Sequence, residues 1–480
     1  MNPTVMKFGG TSVEDANAFR NVAKIVLASA DASPVVVVSA IGGFTNSLLK
    51  SVDKAVRGDA RNATRALEPD FARHLSIGKE LLNADANSKF EHTVAIARAE
   101  IRQLHRIIAT HPVTTPPLQD EIVAYGEQLS SQLLAAILRE HGLAARQIDA
   151  RRCIKTDENY GSAAPLPETA EAARTEVLPL LESAKVPVLG GFIGSTISGV
   201  TTTLGRGGSD YTAALVGAAL GAREIQIWTD VSGVLTADPR VVPEAQTIPV
   251  LSYQEAAELA YFGAKVLHPK TIQPAIDKNI PVRVCNSRVP ADTGTLIVAE
   301  SEAAPQTIKA IAHKNGITTV QVSSARMLGA YGFLRKLFEV FDQHQTAVDV
   351  VTTSEVSVSL SIDDASTLTE LVPDLEELGT VEVEKDRTII SVVGEGLRNT
   401  PGIAAKVFSV ISDINVSMIS VGASSVNLTF MVDAEHAAEA ITRLHRVCFE
   451  NETGGNPTVR EGAHNRSGTL PHGRVSATGR

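Results

Sequence analysis

Residues 201–222 read Thr-Thr-Thr-Leu-Gly-Arg-Gly-Gly-Ser-Asp-Tyr-Thr-Ala-Ala-Leu-Val-Gly-Ala-Ala-Leu-Gly-Ala. The first half of the stretch is a loop rich in hydrogen-bond donors and short of bulk. The second half is apolar on every side, the signature of a buried helix. Ser209 is expected as its N-cap, Asp210 falls in its first turn, and Gly221 sits where a left-handed C-terminal glycine belongs. A glycine loop feeding a helix N-terminus presents free N–H groups and the helix dipole to one point, which suits an anion. Arg206 adds a planar fork matched to carboxylate or phosphate. The same pattern also fits an ordinary loop before a well-capped core helix, and the stretch alone does not separate the two.

The chain around it repeats one theme. Val5-Met-Lys-Phe-Gly-Gly-Thr-Ser is a short strand running into a glycine turn, followed by a helix with Phe19, Val22, Ala23 and Val26 on one face. Pro34-Val-Val-Val-Val-Ser39 is a fully apolar strand of the kind buried in parallel sheets, and it ends in Ser39-Ala-Ile-Gly-Gly-Phe-Thr45. Val186-Pro-Val-Leu-Gly-Gly and Glu224-Ile-Gln-Ile-Trp-Thr-Asp230 repeat the pattern. Strand, glycine turn and helix in succession predict an α/β sheet with ligand loops at the strand C-termini. Lys7 lies near the end of the first strand, either as a solvated charge or as a group reaching phosphate.

Residues 57–145 read as mainly helical, without a clear strand. Within Leu118–His141, Glu127 falls on the apolar stripe of Val123, Leu134 and Leu138. Buried charge needs a partner, so Glu127 is either a structural ion-pair member or a ligand for a cation such as an amino group.

From about residue 315 the texture changes to a duplicated unit of about 70 residues. Strands are expected at Ile317–Ser324, Ala347–Thr352, Glu355–Ile362 and Val381–Glu384, with helices at Gly332–His344 and Ala365–Leu378. The order then recurs at Thr388–Val393, Pro401–Ile414, Val416–Val421, Val426–Val432 and Glu435–Cys448. Each βαββαβ unit is ferredoxin-like, and none carries a catalytic constellation. Residues 451–480 have almost no large apolar side chains and read as a disordered tail.

At 480 residues the chain needs more than one core. A formal charge of −10 argues against nucleic acid or a membrane surface as the main partner. No apolar run reaches membrane-span length and no signal core opens the chain, so the expected location is the cytoplasm. Cys153, Cys285 and Cys448 are far apart and lack metal-ligand spacing, so they are expected to be reduced bystanders. Glycine loops, a few basic residues and carboxylates near strand ends suit phosphoryl transfer. The P-loop, protein-kinase and dinucleotide-binding signatures are all missing.

Lys7-Phe-Gly-Gly-Thr-Ser, Gly205-Arg-Gly-Gly-Ser-Asp-Tyr-Thr-Ala-Ala, Trp228-Thr-Asp-Val-Ser-Gly, Asp238-Pro-Arg and Phe262-Gly-Ala-Lys-Val-Leu-His-Pro together resemble aspartokinase. The duplicated units resemble its paired ACT domains, and Thr352-Thr-Ser-Glu-Val-Ser-Val-Ser with Gly422-Ala-Ser-Ser resembles the single-function, lysine-regulated branch. The likeness spans residues 3–450. It implies an amino-acid-kinase fold over residues 1–300, a three-layer αβα arrangement with 57–145 as a helical lobe. ACT domains are then implied at 315–386 and 387–450, and no dehydrogenase domain is expected after residue 450. The implied reaction is transfer of the γ-phosphoryl group of ATP, with Mg2+, to the β-carboxylate of L-aspartate, the first step toward lysine, threonine and methionine. Lysine is the implied feedback inhibitor, and a homodimer is expected through the ACT domains.

The resemblance also assigns residues. Lys7 and the N–H groups of Phe8, Gly9 and Gly10 would hold the transferring phosphoryl group, with Asp210 orienting the lysine. Arg206 would take the substrate α-carboxylate beside Ser209 and Ser39, Glu127 would pair with the α-ammonium, and Thr45 would complete the pocket. Thr229, Asp230, Arg240 and Lys265 would line the nucleotide side, and Leu235 would make an apolar contact where relatives often carry Tyr. No resident metal site is implied. The effector site would take Met327, Ala330, Phe333 and Leu334 together with Ala347, Val348, Asp349, Ser354 and Glu355. The competing readings are a sister amino-acid kinase acting on another carboxylate, carbamate or nucleotide monophosphate, and an amino-acid sensor built on an inactive kinase fold.

Overall fold

Strand β1 (Thr4–Phe8) is buried along its whole length and lies inside an eight-stranded sheet. The computed structural model describes residues 2–263, 269–300 and 307–450. The other strands of this sheet are β2 (Pro34–Val38), β3 (Ala145–Ile148), β4 (Val186–Gly190), β7 (Glu224–Thr229), β8 (Val250–Ser252), β9 (Val282–Asn286) and β10 (Thr295–Val298). Between β4 and β7 a separate hairpin is formed by β5 (Ile193–Ser195) and β6 (Thr201–Thr203). The order is β3-β4-β2-β1-β7-β9-β10-β8, parallel throughout except where β10 meets β9. Chain order reverses at β1, so the C-terminal ends of β1, β2 and β4 open onto the crevice where such sheets bind ligands.

Both faces of the sheet are apolar because both are covered. Met6, Phe8, Val36 and Val38 face one core together with the helices Ala16–Ala28, Phe44–Val56 and Thr115–Glu140. Val5, Val35 and Val37 face the other, which holds Ala213, Ala214 and Val216 of the helix Gly208–Leu220. Alternation along β1 puts Lys7 on the same face as Val5, under the first turn of that helix. Residues 57–145 are mainly helical as expected, with helices Ala60–Arg65, Glu68–Leu81, Ala84–Thr110 and Thr115–Glu140. The polar edge strand Ala145–Ile148, Ala-Arg-Gln-Ile in sequence, shows no apolar alternation and was not anticipated.

Two details of the opening stretch are corrected. Thr201–Thr203 is a buried strand, not loop, because its backbone pairs with Ile193–Ser195. The N-cap of the following helix is Gly207 at φ 72, not Ser209, which lies inside the first turn. Only a residue tolerant of left-handed φ can turn the chain there. Gly221 ends the helix at φ 59, as expected.

The C-terminal region forms one six-stranded antiparallel sheet. Its strands are β11 (Ala310–Ser323), β12 (Val351–Thr353), β13 (Ser357–Ile362), β14 (Thr380–Val393), β15 (Met418–Val421) and β16 (Asn427–Asp433). The order is β12-β13-β11-β14-β16-β15. Residues 381–384 and 388–393, read as two strands, are one continuous strand of 14 residues. The first strand likewise begins at Ala310, earlier than expected, and residues 310–314 pair with the second half of β14. The two ferredoxin-like units thus share β11 and β14, which leaves the combined sheet two edges instead of four. Ala347–Val350 is not strand, since Asp349 and Val350 fold over Ser361 with N–H bonds of 3.0 and 2.9 Å.

The two regions share a core. Ala237 and Val242 of the first pack among Val407, Ile441 and Leu444 of the second. Ile311 N–H donates to Thr236 O at 2.8 Å, and the Thr236 hydroxyl meets His445 Nε2 at 2.9 Å. Among the described residues no helix is long and apolar enough to cross a membrane. The three cysteines are buried, and burial pushes the Cys153 and Cys285 thiols up to about 12.

Candidate active site

A cavity of about 600 Å³ opens at the C-terminal ends of β1, β2 and β4. Lys7, Gly10, Ser39, Thr45, Glu127, Arg206, Ser209 and Asp210 all line it. Residues separated by as much as two hundred positions are brought there by the strand order. Lys7 Nζ stands 2.7 Å from Asp210 Oδ1, with both side chains mostly buried. The helix packed on the Val5 face delivers that carboxylate to that amine, and a second anion can still approach from the cavity side.

Glu127 is 3% exposed, carried by the helix Thr115–Glu140 on its buried stripe. Its Oε1 accepts the Ala40 N–H at 3.1 Å, and its Oε2 has no partner among the described residues. Burial lifts its carboxyl to about 8, opposed by the Ala40 hydrogen bond. Such a group is a socket for a cation. Ser39 and Ser209 hydroxyls meet at 3.0 Å beside it. Arg206 projects from a loop bounded by two left-handed glycines, Gly205 at φ 73 and Gly207 at φ 72. It is exposed, and no ion pair to a described carboxylate engages it. The cavity therefore offers a carboxylate for an ammonium and a guanidinium for a carboxylate, the two charges of an α-amino acid.

Comparison with known proteins decides the family. Residues 2–286 match the amino acid kinase family and residues 390–447 an ACT domain family. Lysine-sensitive aspartokinase 3 of Escherichia coli is 38% identical over 458 residues, covering 93% of this chain and 99% of that one. The chain belongs to the aspartokinases. Chloroplastic aspartokinase 2 of Arabidopsis thaliana is 41% identical, with 93% of this chain and 84% of that protein covered. The crystal structure of E. coli aspartokinase III with aspartate and ADP superimposes with a TM-score of 0.78 at 38% identity, covering 93% of this chain and 100% of that one. The complex of that enzyme with lysine and aspartate gives 0.79 at 39% identity, covering 93% and 99%. The activity of this aspartokinase is ATP-dependent phosphorylation of aspartate, which makes it a phosphotransferase with a carboxylate acceptor.

Other expected residues of the aspartokinase are placed differently. The Gly9 N–H donates to Trp228 O at 3.1 Å, so it is not free to hold a phosphoryl group as expected. Phe8 is wholly buried in the sheet. Neither they nor Thr229, Asp230, Leu235 and Arg240 line the cavity. Thr229 ends β7 beside β1, and its hydroxyl bonds Asp230 at 3.1 Å. Leu235 sits in a bridge to Thr247. Arg240 is folded back on Asp238 in its own turn, with most of its side chain in solvent. Lys265 lies outside the described residues, as does the tail 451–480.

The effector set divides into two groups. Ser324 N–H donates to Val356 O at 2.8 Å, which places Met327, Ala330, Phe333 and Leu334 beside the hairpin tip of Ser354 and Glu355. Ala347, Val348 and Asp349 lie past the other end of the helix Phe333–Gln343, where Thr346 N–H meets Phe341 O. An eleven-residue helix separates the groups by roughly 16 Å. A single chain therefore does not bring Asp349 and Glu355 onto one lysine, as expected from sequence. Asp349 instead contacts Lys314 and the Tyr261 hydroxyl.

Three features of the aspartokinase site escaped sequence reading. Asp120 lines the cavity with 1% exposure and lies on the same stripe as Val123 and Glu127, a signal that was available. A Cβ on Gly191 would stand 2.6 Å from Ser209, and one on Gly190 3.0 Å from Glu127. These close approaches of helix to strand are what seat both side chains at the cavity, and no one-dimensional pattern announces them.

Proposed function

We propose that the Glu127–Arg206 end of the cavity binds L-aspartate and the Lys7 end receives the triphosphate of Mg-ATP. The orphaned Glu127 oxygen, in a cavity that the exposed Arg206 also lines, is the observation that carries the reading. Glu127 takes the α-ammonium, Arg206 the α-carboxylate, and Ser39, Ser209 and Thr45 complete the fit. The β-carboxylate oxygen then forms a bond to γ-phosphorus while the bond to the ADP oxygen breaks, giving 4-phospho-L-aspartate. A carboxylate is already nucleophilic at neutral pH, so no general base is required. Lys7 screens the repulsion between two anions and meets charge that grows on the transferring group, while Asp210 orients it. Thr229, Asp230, Leu235, Arg240 and Lys265 are proposed for the nucleotide side.

Mg2+ bound through phosphate oxygens needs few protein ligands. Asp120 has both oxygens engaged and Glu127 is committed to the ammonium, so Asp210 is the cavity carboxylate that fits such an ion. When bound, the ion neutralises phosphate charge.

The test is steady-state kinetics on Arg206→Lys. An ammonium cannot reproduce the fork, so kcat/KM for aspartate should fall about 30- to 150-fold, equivalent to roughly 2–3 kcal/mol, with the KM for ATP nearly unchanged. A rise in the ATP KM alone would remove the assignment.

Regulation by L-lysine and assembly as a homodimer complete the proposal. The exposed Leu328, Tyr331, Leu334, Ile419 and Val421 offer surface to bury. A two-fold contact makes residue i of one protomer meet residue j of its partner. Antiparallel pairing of the first ferredoxin-like unit thus sets the Glu355 end of one protomer against the Asp349 end of its partner. That arrangement reunites the two halves of the effector set.

A further inference from the structure

We infer that Asp120 is a positioning residue for the amino-acid end of the cavity. It ties the loop bearing Arg206 to the helix bearing Glu127, and so sets the spacing between the two clamps. The inference rests on the reading of those clamps given above.

Asp120 and Glu127 are seven positions apart on one helix, two turns, and so look the same way. Glu127 reaches the loop after β2 through Ala40, whereas Asp120 reaches two loops at once. Asp120 Oδ2 accepts the N–H of Gly161 at 2.9 Å and of Thr203 at 2.8 Å. Its Oδ1 accepts the Thr203 hydroxyl at 2.9 Å. The Thr203 carbonyl in turn accepts the Ala163 N–H at 2.9 Å, so Thr203 is held from both sides. Three residues on stands Arg206. Between them Gly205, left-handed at φ 73, lies so close to the Gly161 carbonyl that a Cβ would be 3.2 Å from its oxygen.

The loop carrying Arg206 is therefore wedged between Thr203 and Gly161, and both hang from one carboxylate. Arg206 is exposed and forms no ion pair with a described carboxylate, so the position of its guanidinium follows the backbone of that loop. Burial raises the Asp120 carboxyl and its three donors lower it. Both of its oxygens are thus engaged by the two loops.

The test is steady-state kinetics of the full-length enzyme with Asp120→Ala, Asp120→Asn and Thr203→Val. Asn keeps an acceptor for the two N–H groups and can donate to the Thr203 hydroxyl, so it preserves the tie without the charge. Asp120→Ala is expected to raise the KM for aspartate about 10- to 100-fold and to move the KM for ATP less than about twofold. Asp120→Asn is expected to recover most of that loss. Thr203→Val removes one of the three bonds with little change of shape, and it carries the test if the Ala variant does not fold. An intermediate rise in the aspartate KM is its expected result. Unchanged aspartate KM in the folded variants, an equal rise for both substrates, or Asn as damaging as Ala would each overturn the inference. Arg206→Lys and Glu127→Gln are assayed alongside. If they also spare aspartate, the clamp reading itself fails; if they impair it while Asp120→Ala does not, only the positioning role fails.

Discussion

A buried carboxylate with one oxygen unpartnered stays protonated until a cation reaches it, and Glu127 is held that way to about pH 8. The folded, unliganded enzyme thus binds a proton there that the unfolded chain releases near its ordinary value of 4.5. Stability from this group is full below pH 4.5 and is lost as pH rises through 8. Glu127→Gln keeps an acceptor for the Ala40 N–H and removes the ionisation. At pH 9 the variant should therefore gain roughly 1–3 kcal/mol over the wild type, relative to their difference at pH 5. Thermal melts at the two pH values check this, and a growing advantage for the wild type at pH 9 would contradict it. The same variant should bind aspartate poorly, so the site's function is held at the expense of the free protein's stability.

Among the elements, the helix Thr115–Glu140 does most to build the site, because one face carries both Asp120 and Glu127. It can lie close to β4 only because Gly190 has no side chain to meet Glu127. The lobe that buttresses this helix contains two buried histidines. His105 has both ring nitrogens engaged, by Ser51 at 2.9 Å and Thr64 at 3.0 Å, and His74 bonds the Asp70 carbonyl at 2.7 Å. Burial depresses both to about 4, from 6.5. Their stabilising effect is complete above pH 6.5 and is lost as pH falls through 4, since the unfolded chain takes up protons first. Acidification across that window should cost the lobe roughly 2–4 kcal/mol in total. Melts of wild type and His105→Gln between pH 7 and 4 measure it: the variant should lose less on acidification than the wild type.

At the scale of the whole molecule, the kinase and regulatory regions are not separable bodies. The loop from Leu235 to Val242 shares its core with the second ferredoxin-like unit, and buried Lys309 meets Glu255 at 2.9 Å. A chain cut at residue 300 would expose Ala237 and Val242 and free the loop proposed for the nucleotide. Its melting temperature should fall, and its KM for ATP should rise at least about tenfold, more than its KM for aspartate. Unchanged ATP kinetics in the shortened chain would show that the shared core does not shape the nucleotide side. The same continuity gives effector binding a route to the active site. Lysine can inhibit only by binding two kinase states unequally, so ATP or aspartate must shift lysine affinity by the same factor. A lysine titration of activity on wild type and Asp349→Ala is expected to show inhibition that the variant weakens about tenfold or more. Equal inhibition of both proteins would remove Asp349 from the site.

The sequence by itself determined the family, the glycine loops, the αβα class and the paired ferredoxin-like units. These rest on local patterns: apolar strands, glycine turns and a recurring element order that any cut of the chain preserves. It also marked Glu127, because a carboxylate on an apolar stripe is anomalous wherever the stripe goes. Only the tertiary structure decided how the marks combine. The Lys7–Asp210 pair depends on which face of β1 the helix Gly208–Leu220 covers. The spent N–H of Gly9 depends on β7 lying next to β1. Asp120 acts through two loops that no spacing in the helix foretells, and the effector residues fall at opposite ends of one helix although they seem contiguous in sequence. In each case a long-range juxtaposition is at stake. Packing sets it, because helix must meet sheet where small residues allow close approach, and a one-dimensional pattern holds no distances.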